Sequence, residues 1–410
     1  MAPVKKLHVL IAGGGLSGLC LAQGLVKDGN TCDVFERDAD PRRSGYYLNI
    51  NGDGGEALRR CLPGDLFELY RVTSRATPDR SGSIVLDDQL NELSSQPHLG
   101  PPNEGPDRHT GVNRRTLREI LLARLGSSFR AGLAVESYTE DADGVTVRLS
   151  DGSTARGDVL VGADGIRSAV RGRRLPNVEV IEAGINGLGV YGRTPLTREL
   201  AESLPHILFQ GVIIAADAHG SRALIAAFQP REEPDVAGRA LHPPVALDPV
   251  PDYIMVSCSV SKGTVVPRSR DWTADTPAML RDAMERAVQD WDPSVRAIVA
   301  GMDLDSIFVI PFGRLDPPEP WTPSRVTLIG DAAHAMLPTL GMGANLALRD
   351  AGMLAEQLRR AGEGEVGLVD AIGVAETQMR DYAYPFVRAT MDHDHAFGGG
   401  ALERMGSAEG

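Results

Sequence analysis

The 410-residue chain is poor in cysteine and in long apolar runs. Its few cysteines form no C-x-x-C pair, so the sequence predicts neither a disulfide framework nor a zinc site, and no metal is expected. They are Cys20, Cys32, Cys61 and Cys258. No apolar run is long enough to cross a bilayer, and the short run after Lys5 and Lys6 leads into a glycine loop, as a first strand does. These absences favour a cytoplasmic protein.

Basic residues are also under-represented. Lys and Arg together number 42 against 55 Asp and Glu, which gives a net charge of -13. This balance argues against a nucleic-acid or membrane partner, because both partners select for a basic face. The apolar content of 42% is ordinary for a globular protein, and the length favours two domains.

The most informative stretch spans residues 7–36. An apolar run predicts a buried parallel strand, which breaks into Gly13, Gly15 and Gly18 at G-x-G-x-x-G spacing. Residues 16–27 have helical spacing, so the first turn, with Leu16 and Ser17, directs free amides at a phosphate. A second strand ends at Glu36, 18 residues beyond Gly18 and followed by Arg37, where a carboxylate can bind a ribose. The stretch predicts a dinucleotide site.

A second G-x-G-x-x-G match occurs at Gly187, Gly189 and Gly192. Pro195 follows, and no strand ending in an acid lies at the required distance. We interpret this match as coincidental, so the chain has one dinucleotide fold rather than the two of a reductase with a separate nicotinamide domain.

Two further segments contain comparable motifs. Residues 158–171 read DVLVGADGIRSAVR, and residues 326–351 read VTLIGDAAHAMLPTLGMGANLALRDA. Each begins with a short apolar strand and continues through an Asp-Gly or Gly-Asp pair toward a helix. Together with the first stretch, they resemble the FAD-dependent aromatic hydroxylase family, the single-component flavoprotein monooxygenases with the p-hydroxybenzoate hydroxylase fold.

The resemblance implies an α/β fold with a Rossmann-like, glutathione-reductase-like FAD-binding domain, a mixed or antiparallel-sheet substrate domain and a long C-terminal helix. The FAD-binding domain would be discontinuous, comprising residues 1–75, 105–178 and 311–365. Residues 76–104 and 179–310 would form the substrate domain, and residues 366–395 the bridging helix, with a break at Pro385.

The same resemblance implies a set of FAD contacts. An Arg in the loop before residue 44 would help hold the cofactor, with Arg43 and Arg42 as competing candidates, and the R-x-x-L-x-x-x-L pattern assigns a flavin contact to Arg114. The other implied contacts are Asp164, Gly165, Gly330, Asp331, Pro338, Gly341, Gly343, Ala344 and Asn345. His334 is expected to be packed or hydrogen-bonded.

Within residues 44–51, Leu48 and Ile50 alternate with Asn49 and Asn51, which predicts a strand. By resemblance this strand lies beside the flavin, so Asn49 and Asn51 would face flavin or substrate. An edge strand with solvated Asn side chains is the alternative.

The implied activity is insertion of oxygen from O2 into an aromatic or polycyclic small molecule through a flavin C4a-hydroperoxide, with NADPH or NADH as a transient co-substrate. Hydroxylation, epoxidation and Baeyer-Villiger oxidation are all open to such an intermediate. Because the cofactor performs the difficult step, no catalytic side chain is assigned. A structural, non-redox FAD in a cyclase or scaffold is the alternative function, and a flavin sensor ranks last.

Overall fold

The computed structural model describes residues 6–40, 46–75, 78–80, 82–103, 110–182, 188–259 and 276–397. The strands are β1 (His8–Ala12), β2 (Thr31–Glu36), β3 (Tyr47–Ile50), β4 (Ser83–Asp87), β5 (Glu92–Gln96), β6 (Thr110–Asn113), β7 (Phe129–Ala131), β8 (Val135–Glu140), β9 (Val145–Leu149), β10 (Thr154–Gly157), β11 (Val159–Gly162), β12 (Val180–Glu182), β13 (Leu188–Pro195), β14 (Val212–Ala216), β15 (Arg222–Phe228), β16 (Tyr253–Ser259), β17 (Phe308–Pro311), β18 (Gly313–Leu315) and β19 (Val326–Leu328). The helices are α1 (Leu16–Lys27), α2 (Gly52–Cys61), α3 (Gly64–Val72), α4 (Arg114–Leu122), α5 (Ala169–Arg174), α6 (Arg198–Ser203), α7 (Pro234–Ala240), α8 (Pro277–Ala287), α9 (Pro293–Ala300), α10 (Asp331–His334), α11 (Gly343–Gly362) and α12 (Leu368–Phe397).

A five-stranded parallel sheet, in the order β19-β11-β1-β2-β7, forms the centre of the first of two parts of the fold. Its middle strand is buried on both faces, as its unbroken apolar sequence predicts. Val9 and Ile11 face the core made with α1, α2, α4 and α11. Leu10 and Ala12 face the opposite core, which the antiparallel β8-β9-β10 sheet covers. The predicted Rossmann-like part of the fold is confirmed.

A seven-stranded mixed sheet forms the second part, in the order β17-β13-β16-β15-β14-β4-β5. Only the β4–β14 pair is parallel, and the other pairs are antiparallel. Its core includes Leu280 and Met284 of α8 together with Val295 and Ile298 of α9. The predicted mixed sheet is confirmed, and α8 and α9 pack against it, in agreement with the predicted α/β fold class.

Residues 154–161 form two strands, although the extended pattern of this stretch predicts a single one. β10 pairs antiparallel with β9, whereas β11 joins the parallel sheet between β1 and β19. The change of sheet occurs at Gly157, where an added Cβ would lie 2.8 Å from the carbonyl oxygen of His8. This close approach lets the chain cross from one layer to the next.

The C-terminal helix α12 is continuous, so the predicted break at Pro385 is wrong. Ala383, Tyr384 and Val387 are buried around this proline, and their packing offsets the hydrogen bond that proline cannot donate. Within the part of the chain that the structure describes, no helix is both long and apolar enough to span a membrane.

The antiparallel β3–β6 ribbon connects the two large sheets. Ile50 and Val112 belong to the core beside the parallel sheet. Tyr47 instead packs with Phe228 and Tyr253 of the seven-stranded sheet. The ribbon therefore brings the edge of the parallel sheet next to one face of the mixed sheet.

Candidate functional site

The three glycine-containing motifs meet at one edge of the parallel sheet. They follow β1, β11 and β19, which are neighbours and run in the same direction, so their carboxyl ends coincide. An added Cβ on Gly13 would lie 2.3 Å from the Ala163 carbonyl oxygen, and one on Gly330 would lie 3.0 Å from Ser17 Oγ. Segments that are about 150 residues apart thus form one continuous rim, the usual ligand position in such sheets.

The loop after β1 has a different geometry at each of its three glycines. Gly13 has φ +102°, a conformation that favours glycine. An added Cβ on Gly18 would lie 2.1 Å from the Gly13 carbonyl oxygen, so this glycine lets α1 pack against the loop. By contrast, a Cβ on Gly15 would have no atom within 4 Å. Gly15 is also the N-cap of α1 and no side chain caps this end, which leaves the dipole and amides of the first turn, with buried Leu16 and Ser17, for a ligand.

Glu36 lies at the end of β2 and closes this loop. Its Oε2 accepts from the Gly14 amide at 2.9 Å and from Arg118 Nη2 at 3.2 Å. Arg118 also donates from Nε to the Gly14 carbonyl oxygen at 2.9 Å and is buried. Arg37 is exposed beside Glu36. The sequence prediction missed Arg118, although its position one helical turn after Arg114 places both on one face of α4.

Arg114 is the first residue of α4 and lies in the cleft between the ribbon and the third motif. Its guanidinium is 5.4 Å from the centre of the Tyr46 ring. Burial raises the pKa of Asp331, and the positive charge of Arg114 opposes this shift. The competing candidates Arg42 and Arg43 lie outside the described residues.

Asp164 follows β11 and uses only one of its carboxylate oxygens. Oδ2 accepts from the Ala169 amide at 2.8 Å and the Val170 amide at 3.4 Å. Oδ1 is buried and has no hydrogen-bond partner among the described residues. Burial raises the pKa of this carboxyl group. Next to it, Gly165 has φ +76° and open space where a Cβ would stand. An unsatisfied acceptor beside open space is a site for a donor such as a ribose hydroxyl.

The third motif lines the same cleft. Asp331 is accessible to solvent at the cleft surface but has protein on most sides, and this enclosure raises its pKa, although His334 and Arg114 oppose the shift. Pro338 is exposed in a 3₁₀ turn, Pro338–Leu340, and partly buried Ala344 lies in the first turn of α11. Gly341 has φ +64° and nothing within 4 Å of an added Cβ, and at Gly343 the nearest such atom is 4.0 Å away. This turn can approach a planar ligand with its backbone.

The structure gives Asn51 a structural role. It is fully buried, and its Oδ1 caps α2 by accepting from the Asp53 amide at 3.0 Å. Its Nδ2 donates to the Leu99 carbonyl oxygen at 3.1 Å, so the amide has no group left for a substrate. The sequence alone could not separate a cap from a ligand contact, because Asn serves both.

Asn345 connects the ribbon to the third motif. Its Oδ1 accepts from the Asn51 amide at 2.9 Å, and its Nδ2 donates to the Asn49 carbonyl oxygen at 2.9 Å. Asn345 therefore holds the backbone of β3 against the N-terminus of α11. The Asn49 side chain is only partly buried, so it remains a candidate substrate contact.

The Tyr46 ring, which faces Arg114, is one of three partly exposed aromatic rings that lie together. Tyr191 of β13 stacks on Phe308 of β17 with centroids 5.5 Å apart and planes 12° apart. Tyr46 lies 5.8 Å from Tyr191 and 6.0 Å from Phe308. We call Tyr46, Tyr191 and Phe308 the aromatic cluster. The sequence alone does not single out Tyr191 and Phe308, because only strand pairing brings them opposite each other.

These features fit an extended dinucleotide with a planar end group. A Cβ added at Gly15, Gly165 or Gly341 would have no atom within 4 Å, so the backbone there is open to a ligand. Two helices, α1 and α11, direct N-termini without side-chain caps at the cleft. Asp164 Oδ1 supplies an unsatisfied acceptor. The helix N-termini can bind phosphates, Asp164 Oδ1 can accept from a ribose hydroxyl, and the open glycine backbone can contact a flat ring.

Comparison with known proteins identifies this dinucleotide. The family described as FAD binding domain matches residues 317–371, which include the third motif. A crystal structure of a proposed FAD containing monooxygenase from Photorhabdus luminescens subsp. laumondii TTO1 superposes with a TM-score of 0.80 at 28% identity and covers 97% of this chain and 99% of that one. Over nearly its whole length the chain is similar to FAD-dependent monooxygenases.

Two further comparisons also extend over most of this chain. The dual O-methyltransferase/FAD-dependent monooxygenase of Cercospora beticola is 29% identical over 408 residues, with 92% of this chain aligned. The chain spans only 44% of that relative's length. The structure of Klebsiella pneumoniae HpxO complexed with FAD and uric acid has the same fold, with a TM-score of 0.74 at 22% identity, and covers 97% of this chain and 90% of that one.

Proposed function

We propose that this protein is an NAD(P)H- and O2-dependent monooxygenase that oxidises an aromatic or polycyclic small molecule. The single observation that carries the proposal is the aromatic cluster beside Arg114. It presents three partly exposed rings, of which Tyr191 and Phe308 are stacked, at the cleft where the FAD motifs converge. Flat rings offer an aromatic substrate stacking and apolar contact together.

The two sheets would divide this work between two domains. In the proposed division, residues 1–75, 105–178 and 311–365 bind FAD, residues 76–104 and 179–310 bind substrate, and residues 366–395 bridge the two. The pairing of β4 and β5 with the seven-stranded sheet supports the assignment of residues 76–104. The aromatic cluster lies where the two parts face each other, which is a common position for small-molecule sites.

Each part of the cleft has a distinct task in the proposed reaction. The N-terminus of α1 and Gly15 would hold the pyrophosphate, and Glu36 and Asp164 would bind ribose hydroxyls. Gly341 and Gly343 would bring backbone amides to the ring edge, where the α11 dipole favours negative charge on reduced flavin. Bound FAD supplies the activation of O2, while the protein orients substrate and excludes water.

The nicotinamide would bind transiently. In the described ranges, one glycine loop joins a parallel strand to a helix in the dinucleotide geometry, after β1. Gly189 and Gly192 of the second sequence match lie within β13, which is paired on both sides. A strand in the middle of a sheet cannot form a phosphate loop, so these glycines offer no second dinucleotide site.

A direct test uses the FAD-loaded protein with a panel of phenols, hydroxyquinolines and polycyclic quinones. We expect at least one compound to accelerate NADH or NADPH oxidation and to yield a product that is 16 Da heavier. In ¹⁸O2 the added oxygen should carry the label. A redox-neutral, cyclised product formed without nicotinamide would instead favour the structural-FAD alternative.

A further inference from the structure

Asp350 carries a buried carboxylate, and it is not one of the residues that line the cleft described above. It lies on α11 with 3% of its surface exposed. Its Oδ2 accepts from the Gly330 amide at 2.7 Å and from His334 Nε2 at 2.6 Å, and its Oδ1 accepts from the Tyr382 hydroxyl. These donors come from the turn after β19, the end of α10 and the C-terminal helix α12. One side chain therefore ties three segments together.

The partners make this burial energetically reasonable. A carboxylate removed from water is costly unless hydrogen bonds replace its solvation. His334 is 1% exposed, and its Nδ1 has no partner in the described structure, so Nε2 carries the proton toward Asp350. Burial lowers the pKa of His334, but the charge and hydrogen bond of Asp350 outweigh this effect and the pKa lies above its ordinary value.

Hydrogen bonds fix both the amide and the carbonyl group of Gly330. Its amide is held by Asp350, and its carbonyl oxygen accepts from the Ala333 amide at 2.8 Å and the His334 amide at 2.9 Å. Gly330 has φ +59°, a conformation that needs support from its surroundings. Since Asp331 follows directly, the direction of its carboxylate depends on this anchoring.

Tyr382 extends the connection across α12. The Arg349 guanidinium lies 3.9 Å from the centre of the Tyr382 ring and pairs with Asp53 of α2 at 2.9 Å. The phenol is thus held by a cation on its face and by a carboxylate at its hydroxyl. A displacement of α12 would be transmitted to Asp350 and the Gly330 turn.

We propose that Asp350 is a positioning residue for FAD, which fixes the Gly330–Asp331 turn through the Gly330 amide and His334 and links it to the C-terminal helix through Tyr382. The inference rests on the FAD site alone. It is independent of the substrate and of the oxygenation reaction, so it can fail or succeed without them.

The matched experiment compares D350N with E376Q. Glu376 is also a buried acid, 2% exposed, and lines the same small cavity as Asp350. It accepts from Thr327 Oγ1 at 2.9 Å, and among the described residues no hydrogen bond joins it to the Gly330 turn. Apo-protein of each variant is titrated with FAD by quenching of flavin fluorescence, and the melting temperature of the apo-protein is recorded separately.

We expect D350N to raise the Kd for FAD about 10- to 100-fold, the range for loss of a hydrogen bond to a charged group. E376Q should stay within about twofold of the wild type, as expected for a site that is not coupled to the ligand. Equal Kd values for D350N and E376Q overturn the proposal, whether both variants bind tightly or both bind weakly.

Two further variants decide the question if D350N does not fold. Y382F removes one donor and should raise the Kd for FAD about fivefold, since a single hydrogen bond is lost. H334Q leaves Asp350 in place but removes the imidazole that donates to it, and it should raise the Kd for FAD by a similar factor. Unchanged Kd values in both Y382F and H334Q would contradict a positioning role.

Discussion

Gly13 lies against the backbone of Ala163, with an added Cβ 2.3 Å from that residue's carbonyl oxygen. This contact joins the glycine loop after β1 to the Asp-Gly turn after β11, at a position where φ is +102°. The two motifs are thus parts of one packed unit. Gly15, two residues later, faces open space. The same loop therefore contains one glycine required by packing and another exposed toward a ligand.

This difference predicts opposite effects for two substitutions. Gly13→Ala should lower the free energy of unfolding of the apo-protein by roughly 1–3 kcal/mol, because both the φ angle and the contact with Ala163 oppose a side chain. Gly15→Val should change it by less than about 0.5 kcal/mol, since φ is -77° and no atom is near. Yet Gly15→Val should lose FAD. Chemical denaturation of both apo-proteins and the flavin-to-protein absorbance ratio measure the two quantities. A stoichiometric yellow Gly15→Val protein would refute the phosphate assignment.

Asp331 should affect FAD binding and stability in opposite directions. Its pKa is raised by enclosure, so the ionised form costs folding free energy in the apo-protein. This stability is present below the ordinary carboxyl pKa and is lost as the pH rises through the raised value. Asp331→Asn should therefore unfold at a higher temperature than wild-type apo-protein at pH 7, with the difference vanishing in acid.

The same variant should bind FAD about 10-fold more weakly, because a charged acceptor is lost from the cofactor cleft. Differential scanning calorimetry of the apo-protein at several pH values and FAD titration provide the two readouts. Asp331→Ala should also bind FAD more weakly without unfolding the sheet. Unchanged FAD affinity in both variants would show that Asp331 does not contact the cofactor.

Arg118 should support FAD binding from outside the cleft. It donates to Gly14 and pairs with Glu36, so Arg118→Met should loosen the glycine loop and raise the Kd for FAD about 10-fold. Arg115→Met is the matched control on the same helix, because Arg115 pairs with Glu119 and Asp248 instead. Equal effects of the two variants on FAD fluorescence titrations would remove the special role of Arg118.

The sequence predicts much of the site because its motifs are local. The bounds of α1 follow from Gly15 at its start and Asn30 after its end, and the parallel β1 follows from an uninterrupted apolar run. Arg118 and the cap at Asn51 escaped prediction for a physical reason. Each role is set by a partner far away in the chain, Gly14 for Arg118 and Leu99 or Asn345 for Asn51.

Long-range pairing also explains the errors in the fold. Periodicity shows that residues 154–161 are extended, but it cannot show that β10 and β11 pair with different sheets. Proline statistics predict a break at Pro385, whereas buried neighbours on α12 keep the helix intact. In both places tertiary packing overrides a local preference.

The aromatic cluster should determine substrate affinity without affecting FAD. Phe308→Ala removes the ring that stacks on Tyr191, and such pairs contribute about 0.5–1.5 kcal/mol beyond their buried area. We expect kcat/KM for the oxidised aromatic compound to fall about 10-fold, mainly through KM, while the Kd for FAD is unchanged. Phe67→Ala is the control, since Phe67 packs against Tyr70 on α3, away from the cleft. Loss of a ring that contacts the substrate should raise KM and leave the Kd for FAD unchanged. If Phe308→Ala and Phe67→Ala alter substrate-stimulated NAD(P)H oxidation equally, the substrate must bind elsewhere.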